Sequence, residues 1–289
     1  MRYIVIAFTL FVIVVIVDLA IQNRDIWMPK EVDRNETKNI IVTQTEEKET
    51  NQTLKPTTII DQIRDENATI DLSKVKHIAN KEELEPSCNL ELPLDKCLDQ
   101  VGASKGDAIF IRIFKMSAEL ELWIQIDEYY QLLKVYPICK QSGYLGPKLQ
   151  EGDGQGPEGF YKVTKEQLNP NSSYHLSFNL GFPNKYDQLH QRTGSALMVH
   201  GDCVSIGCYA MTDEKIEEIY TLVENALDRG QEAVDVHIFP FRMTEDRMLQ
   251  YSDNEWYNFW GNLKEGYDYF EEGRIPPSVD VVNRRYEFE

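Results

Sequence analysis

Residues 196–213 carry the pattern that decides the local fold: Ala196-Leu-Met-Val-His-Gly-Asp-Cys-Val-Ser-Ile-Gly-Cys-Tyr-Ala-Met-Thr-Asp213. The apolar residues at its start predict a short buried strand that ends at His200. A glycine-containing turn follows, and Thr212 with the acidic residues after it marks the start of a helix. The sequence therefore predicts a strand, a tight turn and a helix, with Cys208 just before the helix.

The residues on either side of this segment predict a domain made mostly of strands. Apolar and polar residues alternate with a period of two, and turn residues bound each run. The first three runs follow one another closely and predict an antiparallel meander. Strands are predicted at residues 108–114, 119–126, 130–138, 159–164, 173–180, 196–200 and 233–239.

Three segments have apolar residues at helical spacing. The first is predicted from Thr212 to Gly230, and two more are predicted at residues 244–251 and 254–270, where recurring aromatic residues indicate core packing. With the strands, these helices predict an α+β domain that is mostly β with peripheral helices. The buried face of the first helix is expected to contain Ile216, Ile219, Tyr220, Val223 and Leu227.

Composition divides the 289 residues into three regions. Residues 1–21 contain an apolar run without the small residues of a cleavage site after it, which favours an uncleaved signal anchor over a cleaved signal peptide. Residues 22–104 are too polar to form a core and predict a flexible tether and lead-in. Residues 105–289 are expected to form the folded domain. Arg2 before the run places this domain on the extracytoplasmic side, in the cell envelope and anchored in the inner membrane.

The charge of the chain argues against one class of partner, and its cysteine count predicts a free thiol. Acidic residues outnumber basic ones 48 to 30 with no basic stripe, which argues against a nucleic-acid partner. Five cysteines in an exported chain predict at least one free thiol. The spacing of Cys88 and Cys97 favours a local structural disulfide. For Cys203, a packing role and a disulfide with Cys208 both remain open, and Cys139 is unassigned.

Cys208 and His200 have the residue types that thiolate catalysis needs. A cysteine attacks a carbonyl as the thiolate, and a nearby imidazole or helix N-terminus lowers the pKa of the thiol. Gly201 and Gly207 allow tight turns, and Gly207 is expected to leave backbone N–H groups free to bind an oxyanion. The orienting partner of His200 is expected to be a backbone carbonyl near Gly201 or the carboxylate of Asp202.

Two other interpretations of these residues stay open. In the first, Cys208 is a small core residue and His200 is a hydrogen-bonded histidine at the end of a strand. The protein would then be a catalytically inactive binding module. A zinc site built from His200, Cys203 and Cys208 would need a fourth ligand, and His237 would have to arrive from another strand. The glycines, the capped helix and the exported context together favour catalysis, without a metal or cofactor.

The upstream His-Gly and the Ser-x-Gly-Cys at residues 205–208 resemble the catalytic motif of the L,D-transpeptidase (YkuD-like) family. The resemblance covers about residues 105–239 and is nearest to the YafK-type branch. It implies a β-sandwich-type catalytic domain in which Cys208 is the nucleophile, His200 is the base, and Ser205 with Gly207 shapes the oxyanion hole. The supporting motifs are Tyr136-Pro-Ile-Cys-Lys, Leu145-Gly-Pro-Lys-Leu, Gly152-Asp-Gly-x-x-Pro-Glu-Gly-Phe160, Phe178-Asn-Leu-Gly-Phe-Pro-Asn184 and Arg192-Thr-Gly-Ser195.

The resemblance also implies a substrate. The cysteine would take the acyl group of a peptidoglycan stem peptide at its diaminopimelate residue, and an amine or water would resolve the acyl-enzyme. Ile206 stands where most of the family has a second histidine, and Ala210 replaces a polar residue, so hydrolysis is a serious alternative to amine transfer, including release of a linked envelope protein. Tyr144, Lys148 and Arg192 are expected substrate contacts. The inactive alternative would bind peptidoglycan or an envelope protein.

Overall fold

The computed structural model describes residues 85–289. The predicted anchor and most of the predicted tether lie outside these residues. Within the described part of the chain, no helix is long and apolar enough to cross a membrane. The elements in chain order are α1 (Leu94–Val101), β1 (Ile109–Phe114), β2 (Glu119–Ile126), β3 (Tyr129–Pro137), β4 (Gly159–Val163), β5 (Leu168–Ser172), β6 (His175–Asn179), α2 (Lys185–Leu189), β7 (Met198–His200), β8 (Tyr209–Ala210), α3 (Asp213–Asp228), β9 (Val234–Phe239), α4 (Glu245–Gln250), α5 (Tyr257–Gly273), β10 (Val279–Val282) and β11 (Arg285–Phe288).

A five-stranded sheet with the order β3-β2-β1-β9-β4 forms the centre of the fold. Strands β1, β2 and β3 pair antiparallel, as the predicted meander requires. Strand β9 arrives from far along the chain and pairs parallel to β1, and β4 pairs antiparallel to β9. The result is a mixed sheet whose middle strand, β1, has neighbours on both sides.

Both faces of this sheet are covered, so all six residues of β1 are buried. Ile109, Ile111 and Ile113 enter the main core, where the inward face of α3 packs. Phe110 and Phe114 point to the opposite face and pack with aromatic residues of α5. Alternation along a strand sends neighbouring side chains to opposite faces, and both sets are apolar here because each face has a covering layer.

A smaller sheet with the order β5-β6-β7-β8 contributes to the same main core, and its β7 and β8 belong to the segment of residues 196–213. Its β7 and β8 pair parallel. Helix α3 follows directly, with Thr212 at its N-cap position, and the five residues predicted to form its inward face are all buried. The prediction of an α+β domain that is mostly β is confirmed.

Several short elements were missed by the sequence patterns. Strand β8 has two residues and α2 has five, which is too short for a period to be visible. The hairpin of β10 and β11 also escaped prediction. Residues 88–101, assigned to the lead-in, include α1 and pack in the main core through Cys88, Cys97 and Leu98. The packed body therefore extends further toward the N-terminus than residue 105.

His237 on β9 is a buried histidine whose ring nitrogens have no hydrogen-bond partner among residues 85–289. The ring lies edge-on between Phe110 and Phe160, and the positive charges of Arg112 and Lys162 act on it. Burial, reinforced by these two cations, holds the pKa of His237 well below 6.5. The ring is therefore neutral in the folded protein near pH 6, and this site is a source of acid sensitivity.

We expect His237→Leu to stabilise the protein and to reduce its acid sensitivity. The unfolded chain takes up a proton at this ring below about pH 6.5 while the folded protein does not, so stability is lost as pH falls through that value, by up to about 1.4 kcal/mol per pH unit. Removing two unpartnered nitrogens should raise the free energy of unfolding by about 1–3 kcal/mol at neutral pH. Urea denaturation of wild type and variant across the acid range measures both effects, and parallel pH curves for the two proteins would contradict this explanation.

Candidate active site

The pairing of β7 with β8 determines where His200 and Cys208 lie. His200 is opposite Ala210 in a parallel register, and Val199 is opposite Tyr209. When this register is continued by one residue toward the N-terminus of both strands, Cys208 lies opposite Met198. Side chains two apart on a strand share a face, so Cys208 and His200 lie diagonally on the same face of the small sheet.

The imidazole of His200 is held in one orientation. Its Nδ1 is 2.6 Å from the carbonyl oxygen of Gly201, which as an acceptor fixes the proton on Nδ1. The ring of Tyr174 covers it at a centroid distance of 4.8 Å. Nε2 has no hydrogen-bond partner in residues 85–289, and it is not among the fully enclosed polar atoms. Nε2 is therefore the unprotonated nitrogen, as a general base requires, in a residue that is 2% exposed.

Of the two orienting partners expected for His200, the structure selects the Gly201 carbonyl. Asp202 is exposed, and its backbone N–H donates to the Oδ1 atom of Asp213 at the start of α3. Burial lowers the pKa of His200 below 6.5, against smaller opposing effects of the Gly201 carbonyl and the Asp202 charge. The neutral imidazole is therefore the dominant form at neutral pH.

Cys208 is the one cysteine of the five that is not in a disulfide, and its side chain is partly exposed. Its Sγ lies 3.6 Å from the carbonyl oxygen of Ala196. Burial raises the pKa of the thiol, while a backbone hydrogen bond from Met198 and the charge of Lys148 oppose the rise. A thiol of this kind stays protonated at neutral pH and needs a base to form the thiolate.

The helix N-terminus does not activate the thiol in the way the sequence suggested. Strand β8 and two further residues separate Cys208 from Asp213, where α3 begins. Five residues of extended chain span roughly 16 Å, and the effect of a helix dipole falls off within its first turn. The start of α3 instead anchors the turn, through the hydrogen bond that Asp213 accepts from Asp202.

Gly207 and Ser205 shape the backbone around the thiol. Gly207 has a φ of +109°, and a Cβ there would approach the carbonyl oxygen of Gln155 to 3.2 Å. Its N–H donates to Ser142 Oγ at 2.7 Å, so it is not free to bind an oxyanion, in contrast to our expectation. Ser205 Oγ donates to the Cys208 carbonyl at 2.6 Å. In the described chain, the N–H of Cys208 itself has no acceptor and is the group left for an oxyanion.

The glycine-rich loop at residues 142–157 forms one wall beside this turn. Besides the Ser142 contact, Tyr209 donates its hydroxyl to the carbonyl of Pro157 at 2.8 Å. The loop is folded around Asp153, which accepts from the backbone of residues 149, 150 and 155 and from Lys148. Although burial opposes it, these hydrogen bonds hold the pKa of Asp153 at about 2. The glycine-rich loop is therefore a compact rim whose residues are hydrogen-bonded to one another.

The three expected substrate contacts lie in different environments. Tyr144 is 81% exposed on the rim. Lys148 is buried, and its Nζ is bound to Asp153 and to the carbonyl of Gln150. Arg192 is also buried, in an ion pair with Asp187 and over the rings of Tyr186 and Phe259. The geometry therefore offers Tyr144 to a ligand, whereas the two cations are engaged inside the protein.

The cysteine pairing corrects one expectation. Cys88 is bonded to Cys97, the pair that their spacing favoured. Cys203 is bonded to Cys139 at the end of β3, so neither a packing role nor a bond to Cys208 describes it. Its sulfur is not available as a zinc ligand, and the described residues contain no cluster of three metal-binding side chains.

Sequence reasoning missed Tyr174 and Ser142 as parts of the site. Tyr174 lies in the turn between β5 and β6, and Ser142 opens the glycine-rich loop. Both reach the site from distant positions in the chain, and neither has a local sequence signal that marks it.

We expect the pH dependence of kcat/KM to follow the protonation of His200. A base must be unprotonated, and burial lowers the pKa of this imidazole, so activity should rise along an acidic limb with its midpoint below 6.5. The raised pKa of Cys208 implies no fall in activity at neutral pH. Rates measured from about pH 4.5 to 8 locate the limb, and a midpoint above 6.5 would contradict the role of a neutral base.

Part of this chain matches a known protein family and its members. Residues 128–238 match the YkuD family model, described as the L,D-transpeptidase catalytic domain. The chain is 52% identical over 181 residues, 63% of this chain and 74% of the relative, to the protein named "Putative L,D-transpeptidase YafK" in Escherichia coli K12, with the same values for the protein of that name in strain O157:H7.

Two solved structures are similar to this chain over about two thirds of its length. The chain is similar to the helical cell shape determining protein Pgp2 from Campylobacter jejuni, with 16% identity, a TM-score of 0.38 and coverage of 66% of this chain and 81% of that one. It is similar to Bdellovibrio bacteriovorus Bd1075 with 18% identity, a TM-score of 0.35 and coverage of 64% and 84%. On the family match and the 52% identity, this chain belongs to the L,D-transpeptidase (YkuD) family.

Proposed function

We propose that this protein acts on peptidoglycan stem peptides by covalent catalysis, with Cys208 as nucleophile and His200 as general base. The observation that carries the proposal is the register of β7 and β8, which sets the one free thiol and an oriented, neutral imidazole on the same face of a sheet. Family membership supports the substrate class. No cofactor enters the reaction.

The first half-reaction forms a thioester. Nε2 of His200 takes the Cys208 proton as sulfur attacks the acyl carbonyl of the diaminopimelate residue in the stem. The N–H of Cys208 stabilises the oxyanion, and Ser205 holds that part of the backbone through the Cys208 carbonyl. The C–N bond then breaks, and the imidazolium returns its proton to the departing amine.

The second half-reaction decides between hydrolysis and transpeptidation. His200 removes a proton from water or from an acceptor amine, the new bond forms at the thioester carbonyl, and sulfur leaves as the thiol. Val204 and Ile206, beside Cys208, are exposed apolar residues, and Ile206 is 85% exposed. These side chains offer no hydrogen bond to a charged acceptor amine, and this favours water. Release of stems or of a linked envelope protein is the outcome we propose.

The proposed setting is the cell envelope. Peptidoglycan lies outside the inner membrane, and we propose that the N-terminal apolar segment anchors the chain there with residues 105–289 on the periplasmic side. Two disulfides in the described residues support an oxidising location.

Mass spectrometry of muropeptides tests the proposal. The full chain is incubated with purified peptidoglycan, the soluble products are separated, and their masses are measured. Shortened or released stems indicate hydrolysis, whereas new crosslinked dimers indicate transpeptidation. An unchanged muropeptide profile together with tight binding of the chain to peptidoglycan would favour the inactive binding module instead.

A further inference from the structure

The two disulfides of this protein lie in opposite environments. Cys88 and Cys97 are 3% and 0% exposed and belong to the main core. Cys139 and Cys203 are both exposed, and Cys203 is one of the seven residues between His200 and Cys208. One bridge is therefore enclosed, and the other is open to solvent at the site itself. Exposed disulfides are the ones that reductants reach.

The backbone between His200 and Cys208 is hydrogen-bonded at its two ends and has few attachments in between. Its first part is held by hydrogen bonds from Gly201 N–H to the carbonyls of Tyr174 and Leu176 and from Asp202 N–H to Asp213 Oδ1. The N–H of Cys203 donates to the carbonyl of Met211 at 3.2 Å. Its last part is held at Gly207, by Ser142. In between, the N–H groups of residues 204–206 have no acceptor in the described chain. Within the described chain, residues 204–206 are held by the Ser205 hydroxyl, and the Cys203 bridge reinforces the backbone anchor at their N-terminal end.

The backbone at the bridge also has a conformation that a free chain leaves readily. Asp202 and Cys203 have φ values of +63° and +44°, in the left-handed region that non-glycine residues rarely adopt. The other half of the bridge, Cys139, is fixed because its N–H donates to the Ala210 carbonyl on β8. The bridge therefore ties the turn to the strand that follows Cys208.

We infer that the Cys139–Cys203 disulfide is a positioning element that holds the turn between base and nucleophile, so that its reduction lowers catalysis while the fold remains. The inference rests on the proposed function. Reduction breaks one S–S bond and forms two thiols, with two electrons from a phosphine, which becomes the phosphine oxide, and protons from water. Cys208 is already a thiol and is unchanged by this step.

The Cys88→Ala/Cys97→Ala double variant isolates the exposed bridge. In this background the only remaining disulfide is Cys139–Cys203, so a phosphine reductant acts on that bridge alone. The full chain of this variant is assayed for muropeptide turnover and for the rate of Cys208 alkylation, before reduction and after it, and again after reoxidation. Circular dichroism monitors the fold in each state. A Cys139→Ala/Cys203→Ala variant of the full chain, which keeps the core bridge, provides the second arm.

We expect reduction to lower kcat by roughly tenfold or more, because small misplacements of catalytic groups have effects of this size. The far-ultraviolet spectrum should be unchanged, reoxidation should restore the rate, and the pH dependence of Cys208 alkylation should lose its inflection from His200. The Cys139→Ala/Cys203→Ala variant should show the same loss of kcat, whereas Cys88→Ala/Cys97→Ala in the oxidised state should retain the wild-type rate within about twofold.

Unchanged turnover and unchanged alkylation after confirmed reduction would overturn the inference. Loss of the far-ultraviolet spectrum in parallel with activity would overturn it too, because the bridge would then serve the fold as a whole. If the proposed function were wrong, the result would be different, because the oxidised wild-type chain would then show no turnover. The alkylation profile would in that case still report whether the bridge positions Cys208 relative to His200.

Discussion

Replacing Cys208 with alanine is expected to remove turnover of tetrapeptide-containing muropeptides, by about 10³-fold or more, as loss of a nucleophile does in other covalent enzymes. The sulfur is the only atom in the proposed site that forms the thioester. The other four cysteines are bonded in pairs, so no second thiol can replace it. The measurement is kcat/KM for stem-peptide release by the full chain.

A structural loss can be separated from this chemical one. Cys208 is partly exposed, so removing its sulfur should change the free energy of unfolding by no more than about 1 kcal/mol, as urea denaturation would measure. Intact-mass analysis adds a direct readout, because wild type mixed with substrate should gain the mass of the acyl group and Cys208→Ala should not. Wild-type rates from a well-folded Cys208→Ala chain would refute the mechanism.

Replacing His200 with alanine is expected to lower kcat by roughly 10²–10⁴-fold, the usual contribution of a positioned general base. Burial raises the pKa of the Cys208 thiol, so without the imidazole little thiolate forms at neutral pH. Alkylation of Cys208 by iodoacetamide should slow as well. The acidic limb of the pH profile, assigned to His200, should disappear from the residual activity.

His190 provides the matched control for this substitution. Its Nε2 contacts the carbonyl of Arg284, and its ring stacks on Tyr186, away from the small sheet. His190→Ala should therefore retain wild-type kcat and wild-type Cys208 alkylation. If His200→Ala behaves like His190→Ala in both assays, another group must be the base.

Much of the fold was predictable because its signals are local. The meander of β1, β2 and β3 follows from three successive runs of six or more residues, nearly all apolar in β1 and alternating in β2, with turn residues between them. Helix α3 follows from five apolar residues at helical spacing. Strands and helices that are shorter, such as β8, contain too few residues to show a period. The parallel pairing of β1 with β9 joins residues more than 120 positions apart, which no local pattern reports.

In the candidate site, too, some features follow from local sequence and others depend on distant contacts. The sequence by itself determined which groups have the chemistry, because His200, Cys208 and the glycines between them lie within one short segment whose residue types and spacing are visible directly. Tertiary structure alone decided how they are arranged. It selected the Gly201 carbonyl as the partner of His200, committed the Gly207 N–H to Ser142, and paired Cys203 with Cys139. These contacts depend on where distant parts of the chain meet, and that is set by burial of both sheets in a common core.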